Sequence, residues 1–198
     1  MGGTTGTLVG GATLGNGLAY ISSTTGQYVN LAAGLFGSYT SVSVELWVNT
    51  PSSNGNLARL FSWGASTTGS DQNSFMVARA SGSNVLLFGY AASTTATFQL
   101  CTSTASFDGQ SSMHVVLTVT QGGYAYLYKN GVLVCSSSFL ITNLPPPTAF
   151  YVGNNMYATN GYGLSGGSFD EFRLYGGVLS GAEVLSNYNE GKGNLFVN

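Results

Sequence analysis

The chain has 198 residues, 43% of them hydrophobic, which is enough for one domain with a proper core and too apolar for a disordered segment. Only 6% are Asp, Glu, Lys or Arg, against roughly 25% in ordinary soluble domains, and the net charge is −2. Five scattered basic residues cannot build a phosphate-tracking groove, so nucleic acid is not an expected partner, and no apolar run reaches the roughly 18 residues a membrane span needs.

In chain order, short strands are predicted at LAYIS and QYVNL, followed by SVSVELWV, where Val42, Val44, Leu46 and Val48 share one face and Ser43, Glu45 and Trp47 the other. ARLFSW, SFMVAR, NVLLFGY and TATFQL follow, separated by Gly, Asn, Ser and Thr clusters. MHVVLTVT alternates with Met113, Val115, Leu117 and Val119 on one side. YAYLYKNGVLV reads as a hairpin about Asn130-Gly131, the dipeptide that supplies positive φ for a two-residue turn. AFYVGN and FDEFRLY complete the strands. One helix is predicted from Ser180 to about Glu190: Ser180 and Glu183 form a capping box, Val184, Leu185 and Tyr188 make an apolar face, and Gly191 ends it. Many short strands and a single short C-terminal helix predict an all-β fold, two antiparallel sheets packed face to face in one domain. Cys101 and Cys135 allow at most one internal disulfide, and spacing alone leaves a bridge and two buried thiols equally open.

Four stretches then carry a resemblance: SVSVELWVNTP with its Trp47, HVVLTVTQGGYAYLYKNGVLV, the YVGNN strand end, and SFDEFRLYGGVLSGAEVLSNYNEG. Together they resemble the laminin-G-like, concanavalin A-like lectin and glucanase jelly-roll domains, over roughly residues 8 to 192. The resemblance implies a jelly-roll sandwich of about a dozen strands. It also implies binding of glycans or proteins through one rim or the concave face, often with calcium, and glycosidase or lyase activity in a minority. Gln27 stands where the family often has an acidic residue, and with so few carboxylates no metal or cofactor is expected.

Asp170 and Glu171 are adjacent in a predicted strand, so they should point to opposite faces and cannot flank one glycosidic bond. Asp170 is expected to accept backbone N–H groups, and Glu171 to pair with Arg173. Glu45 and His114 read as structural strand residues. No catalytic residue is expected, and the chain is not expected to be an enzyme.

Ligand contacts are expected in the loop from Gly153 to Gly167, from Asn154, Asn155, Tyr157, Asn160 and Tyr162, because amides bond sugar hydroxyls and rings cover apolar sugar faces. Tyr124 and Tyr126, in a row with Tyr128, form a second candidate platform. The first expectation is therefore a non-catalytic, lectin-like module for neutral glycans. The alternative is a subunit of a virion surface, extracellular fibre or adhesive layer whose partner is a neighbouring copy. A net charge so near zero opposes self-association only weakly and favours an extracellular, particle-surface or cell-surface setting. The opening MGGTTGTLVGG shows no basic region followed by an apolar stretch, so no signal peptide is expected there.

Overall fold

The computed structural model describes residues 6–22, 26–36, 38–65, 73–93, 96–145, 147–156 and 161–192. Its strands are β1 (Thr7–Val9), β2 (Thr13–Gly15), β3 (Leu18–Ile21), β4 (Tyr28–Leu31), β5 (Ser41–Asn49), β6 (Arg59–Gly64) and β7 (Ser74–Arg79). They continue as β8 (Val85–Ala91), β9 (Gln99–Ser106), β10 (Met113–Thr120), β11 (Ala125–Lys129), β12 (Val132–Ser136), β13 (Ala149–Val152) and β14 (Gly167–Tyr175), followed by one helix, α1 (Gly181–Glu190). Two antiparallel sheets of seven strands result, ordered β1-β4-β13-β6-β7-β8-β9 and β12-β11-β10-β5-β14-β3-β2. The non-sequential neighbours β13, β5 and β14 show that the sheets are built by long crossings, as a jelly roll requires.

Period-two patterning sets the core. Val42, Val44, Leu46 and Val48 of β5 and Val115, Leu117 and Val119 of β10 are buried on the inner face of one sheet. The other sheet answers with aromatics: Trp63 stacks on Phe75 at 4.6 Å between centroids, and Phe75 meets Tyr90 at 4.7 Å. Tyr90 keeps its polar tip satisfied by accepting from the Asn143 backbone N–H at 2.8 Å.

Turn and cap chemistry act where the residue types require. Asn130 (φ 50°) and Gly131 (φ 78°) are both left-handed, the geometry of a two-residue hairpin turn. Ser180 caps α1 with the full capping box, and Gly191 closes it. Ten residues of helix do not stand alone. Val184 is the side chain of α1 that is fully buried, while Leu185 and Tyr188 remain substantially exposed, so the apolar face is narrower than the sequence suggests. The strand expected at TATFQL begins later, at Gln99, and the short β1 and β2 have no pattern long enough to read.

Cys101 and Cys135 are joined in a disulfide. Cys101 lies in β9 and Cys135 in β12, each the edge strand of its own sheet, so the bond fastens the two sheets along one open side. With a sequence separation of 34, chain-entropy estimates put its contribution at about 3–4 kcal/mol. The double variant Cys101→Ala/Cys135→Ala should lose that amount in urea unfolding. An unchanged midpoint would mean that packing alone holds the edge.

Candidate functional site

The most densely bonded polar cluster lies on the outer face of the second sheet, beneath α1. Register brings it together: Val116 of β10 lies opposite Glu45 of β5, His114 opposite Trp47, and Arg173 of β14 opposite Glu45 on the other side. The Glu45 carboxylate, with 0% side-chain exposure, accepts from His114 Nε2 at 2.8 Å, the Tyr175 hydroxyl at 2.5 Å and Asn187 Nδ2 at 3.0 Å. Arg173 Nη1 reaches its second oxygen at 3.4 Å and stands over the Trp47 ring at 4.8 Å. Because a carboxylate only accepts, the His114 proton resides on Nε2. Its buried Nδ1 has no hydrogen-bond partner. Burial alone would raise the Glu45 carboxyl pKa, but donation from His114, Tyr175 and Asn187 holds it below the ordinary value. The same contacts push the Tyr175 hydroxyl up to about 12, with burial the largest cause and the hydrogen bond to Glu45 next.

This cluster has the residue types of an acid–base site without its access. Both Glu45 oxygens are engaged and no part of the side chain meets solvent, so a substrate has no route to it. The other described carboxylates are engaged as well. Asp108 pairs with Arg79 at 3.0 Å and accepts from Asn54, Glu171 pairs with Arg173 at 2.9 Å, Asp170 pairs with Lys192, Glu183 serves the helix cap, and Glu190 accepts from Ser186. Of the seven acidic residues only Asp71 lies outside the described residues. Among those described, no group of three or more His, Cys, Asp or Glu could hold a metal ion, and no helix is long and apolar enough to cross a membrane.

The opposite-face expectation for Asp170 and Glu171 is corrected. A bulge interrupts the β14–β5 register between Phe169 and Phe172, so both Phe rings, three residues apart, pack on the core. Asp170 therefore does not share the inward face of Phe172 and Leu174. It reaches Lys192 instead of the expected backbone donors. The Glu171–Arg173 pair forms as expected.

The loop residues divide. Asn154 and Asn155 are 0% exposed, which corrects their expected place as surface contacts. Gly153 N–H donates to Leu60 O, extending β13 along β6 and carrying both asparagines inward. Asn154 Nδ2 donates to Gln27 O at 3.0 Å, and its Oδ1 accepts from the Asn155 N–H at 2.8 Å. Tyr162 is half-buried, with the guanidinium of buried Arg59 5.4 Å from its ring centroid. Tyr157 and Asn160 lie outside the described residues. In the second candidate platform Tyr124 is exposed. Tyr126 and Tyr128 are half-buried and alternate with the buried Ala125 and Leu127, as read from the sequence.

A pair that sequence reasoning missed stands on the outer face of the first sheet. Tyr28 of β4 and Tyr151 of β13 stack at 4.0 Å between centroids, both half-buried, with Asn30 and Ser62 directly beside Tyr151 in the register. Burial, followed by the hydrogen bond with Tyr28, pushes the Tyr151 hydroxyl up to about 12, so it stays a neutral donor across the ordinary pH range. Residues 123 positions apart in sequence give no local signal of such a stack; each strand shows only one Tyr in an alternating pattern.

A family model described as the concanavalin A-like lectin/glucanases superfamily matches residues 23–185. No curated protein matches in sequence. Among solved structures, the binding domain of botulinum neurotoxin DC in complex with SialylT is similar with a TM-score of 0.69 and 15% identity, over 94% of this chain and 46% of that one. The receptor-binding domain of botulinum neurotoxin type G gives 0.67 and 16%, again over 46% of its length, so the chain spans less than half of these toxin domains. Domain 4 of an extracellular GH43 arabinanase from Geobacillus stearothermophilus, in complex with arabinotriose, is similar at 0.59 and 20% identity, over 91% of this chain and 86% of that one.

Glu45→Gln leaves an amide among donors, and breaking such a buried pair costs about 3–5 kcal/mol. A carboxyl with a depressed folded-state pKa contributes stability that is present above its ordinary value near 4.5 and is lost as pH falls through the folded value. Wild-type stability should therefore fall below about pH 4.5, and Glu45→Gln should show a weaker and flatter acid dependence in urea titrations. Parallel curves for the two proteins would contradict the assignment.

Proposed function

The chain belongs to the concanavalin A-like lectin/glucanases superfamily, and from that membership we propose that it is a non-catalytic, lectin-like module that binds neutral glycans. The observation that carries the reading is the Tyr28–Tyr151 stack on an otherwise uncharged stretch of sheet. The residues that register and hydrogen bonding place beside it are Gln27, Asn30, Ser62 and Asn154, none of them charged. Rings cover apolar sugar faces, and phenol and amide groups bond hydroxyls, so the platform suits a ligand without formal charge. The arabinanase domain, similar over most of its length, holds arabinotriose, itself a neutral sugar, which supports the choice. Tyr162 and the exposed Tyr124 with Tyr126 are secondary contact candidates. The engaged carboxylates support binding without turnover. A disulfide and a charge-poor surface support an extracellular, particle-surface or cell-surface setting.

A second reading, an assembly subunit, is favoured by exposed Val132 and Leu133 on edge strand β12 and Leu185 and Tyr188 on α1. Leu185 and Tyr188 both approach the hairpin turn at Gly131, which places them beside Val132. Light scattering at micromolar concentration separates the two: a monomer is expected, and a concentration-dependent polymer would favour assembly.

On a neutral oligosaccharide array, wild type should bind, and Tyr28→Ala or Tyr151→Ala should each cost about 1–3 kcal/mol of affinity while leaving the thermal midpoint near that of wild type. Binding that survives both substitutions would move the site elsewhere. No reducing ends should be released from a polysaccharide panel. Release abolished by Glu45→Gln in a folded protein would show the chain to be a glycosidase.

A further inference from the structure

We infer that the Tyr28–Tyr151 platform takes the end of a neutral glycan chain and not a stretch of its interior; this rests on the carbohydrate-binding reading above. One row of side chains runs across the first sheet. Asn30, Tyr151, Ser62, Met76, Gly89 and Leu100 are directly opposed on β4, β13, β6, β7, β8 and β9, so they share the outer face. Five strand spacings of about 4.8 Å make this row about 24 Å long, ample for an extended sugar chain were it open.

It is closed just beyond Tyr151. Ser62 is 2% exposed and Met76 4%. Ser62 Oγ donates to Asn154 O at 3.0 Å, which brings the backbone after β13 over β6. Met76 belongs to a small second apolar cluster with Ala78, Ala80 and Leu87, against which Leu57, Val85 and Phe98 pack. Gly89 shows how tight the cover is: a methyl group there would lie 2.4 Å from Met76 Cε and 3.0 Å from Leu100 Cδ2. On the next row Gly64 and Ser74 are buried as well. At the start of β4, the Asn154 side chain bridges to Gln27 O and bounds the platform along the strand direction.

The stack therefore occupies a corner, walled on the β6 side and at the Gln27 end, and approached from the sheet edge where Thr7 of β1 is exposed. An interior sugar has a neighbour on each side and needs two opposed exits. A terminal sugar needs one. Straight paths across or along the strands meet a wall on one side of Tyr151, so the terminal unit, seated on the two rings, is what fits.

The test uses wild type, Tyr151→Ala and malto-, cello- and manno-oligosaccharides from disaccharide to hexasaccharide in solution calorimetry. It adds the parent polysaccharides before and after partial acid hydrolysis, which raises the number of ends at constant mass. For the series that binds, Kd should stay within about twofold from trisaccharide to hexasaccharide, polymer capacity should rise with the number of ends, and Tyr151→Ala should weaken binding about tenfold or more. Affinity that climbs about tenfold with length, or capacity that follows mass, overturns end recognition while leaving glycan binding intact. Undiminished binding by Tyr151→Ala overturns the corner as the site. If no glycan on the broad array binds wild type, the carbohydrate reading fails, and this inference with it.

Discussion

One buried carboxylate ties the second sheet to its helix. Glu45 takes hydrogen bonds from His114 on β10, from Tyr175 on β14 and from Asn187 on α1, so a single side chain of β5 links three strands and the helix that covers them. The helix needs this anchor. Its one fully buried side chain, Val184, contributes about 1.5–3 kcal/mol, which is small against the entropy of ordering ten residues. The hydrogen bond from Asn187 to the buried charge, about 1.5–3 kcal/mol, adds to what the narrow apolar face contributes. An isolated buried carboxylate would be strongly unfavourable, and the four donors around it are what make the arrangement stable.

The rest of the charge is used in the same manner. In a chain with 6% charged residues, ion pairs and caps engage the described acids and leave none exposed without a partner. The disulfide between β9 and β12 fastens one margin of the sandwich covalently. Among the described residues, the outer face of the first sheet offers the Tyr28–Tyr151 stack with amide and hydroxyl groups beside it. The acidic pair at 170–171 and the Glu45–His114 contact are both engaged in ion pairs and hydrogen bonds within the frame.

Elements whose signal is local were legible in the sequence. The alternation in SVSVELWV and MHVVLTVT identified which side chains enter the core, Asn130-Gly131 identified its hairpin, and Ser180 with Glu183 identified the helix start. Features set by non-local packing were not. The bulge in β14 exists because Phe169 and Phe172 both find room in the core, and no strand-period argument predicts that. Asn154 and Asn155 look like loop amides until β13 is seen to continue along β6 and draw them inward. Asn187 looks like a solvated helix residue until Glu45 is placed beneath it. Tyr28 and Tyr151 become a pair only once β4 and β13 are neighbours, which follows from sheet order alone.

The proposed glycan site works without charge, and varying the ionic strength probes that property. Raising salt from about 0.1 M to about 1 M shortens the Debye length from about 10 Å to about 3 Å and removes most contributions from exposed ion pairs. A glycan held by stacked tyrosines and amides should bind with a Kd changed by less than about twofold across that range. A loss of about tenfold or more would contradict the claim and place an ionic contact at the heart of the site.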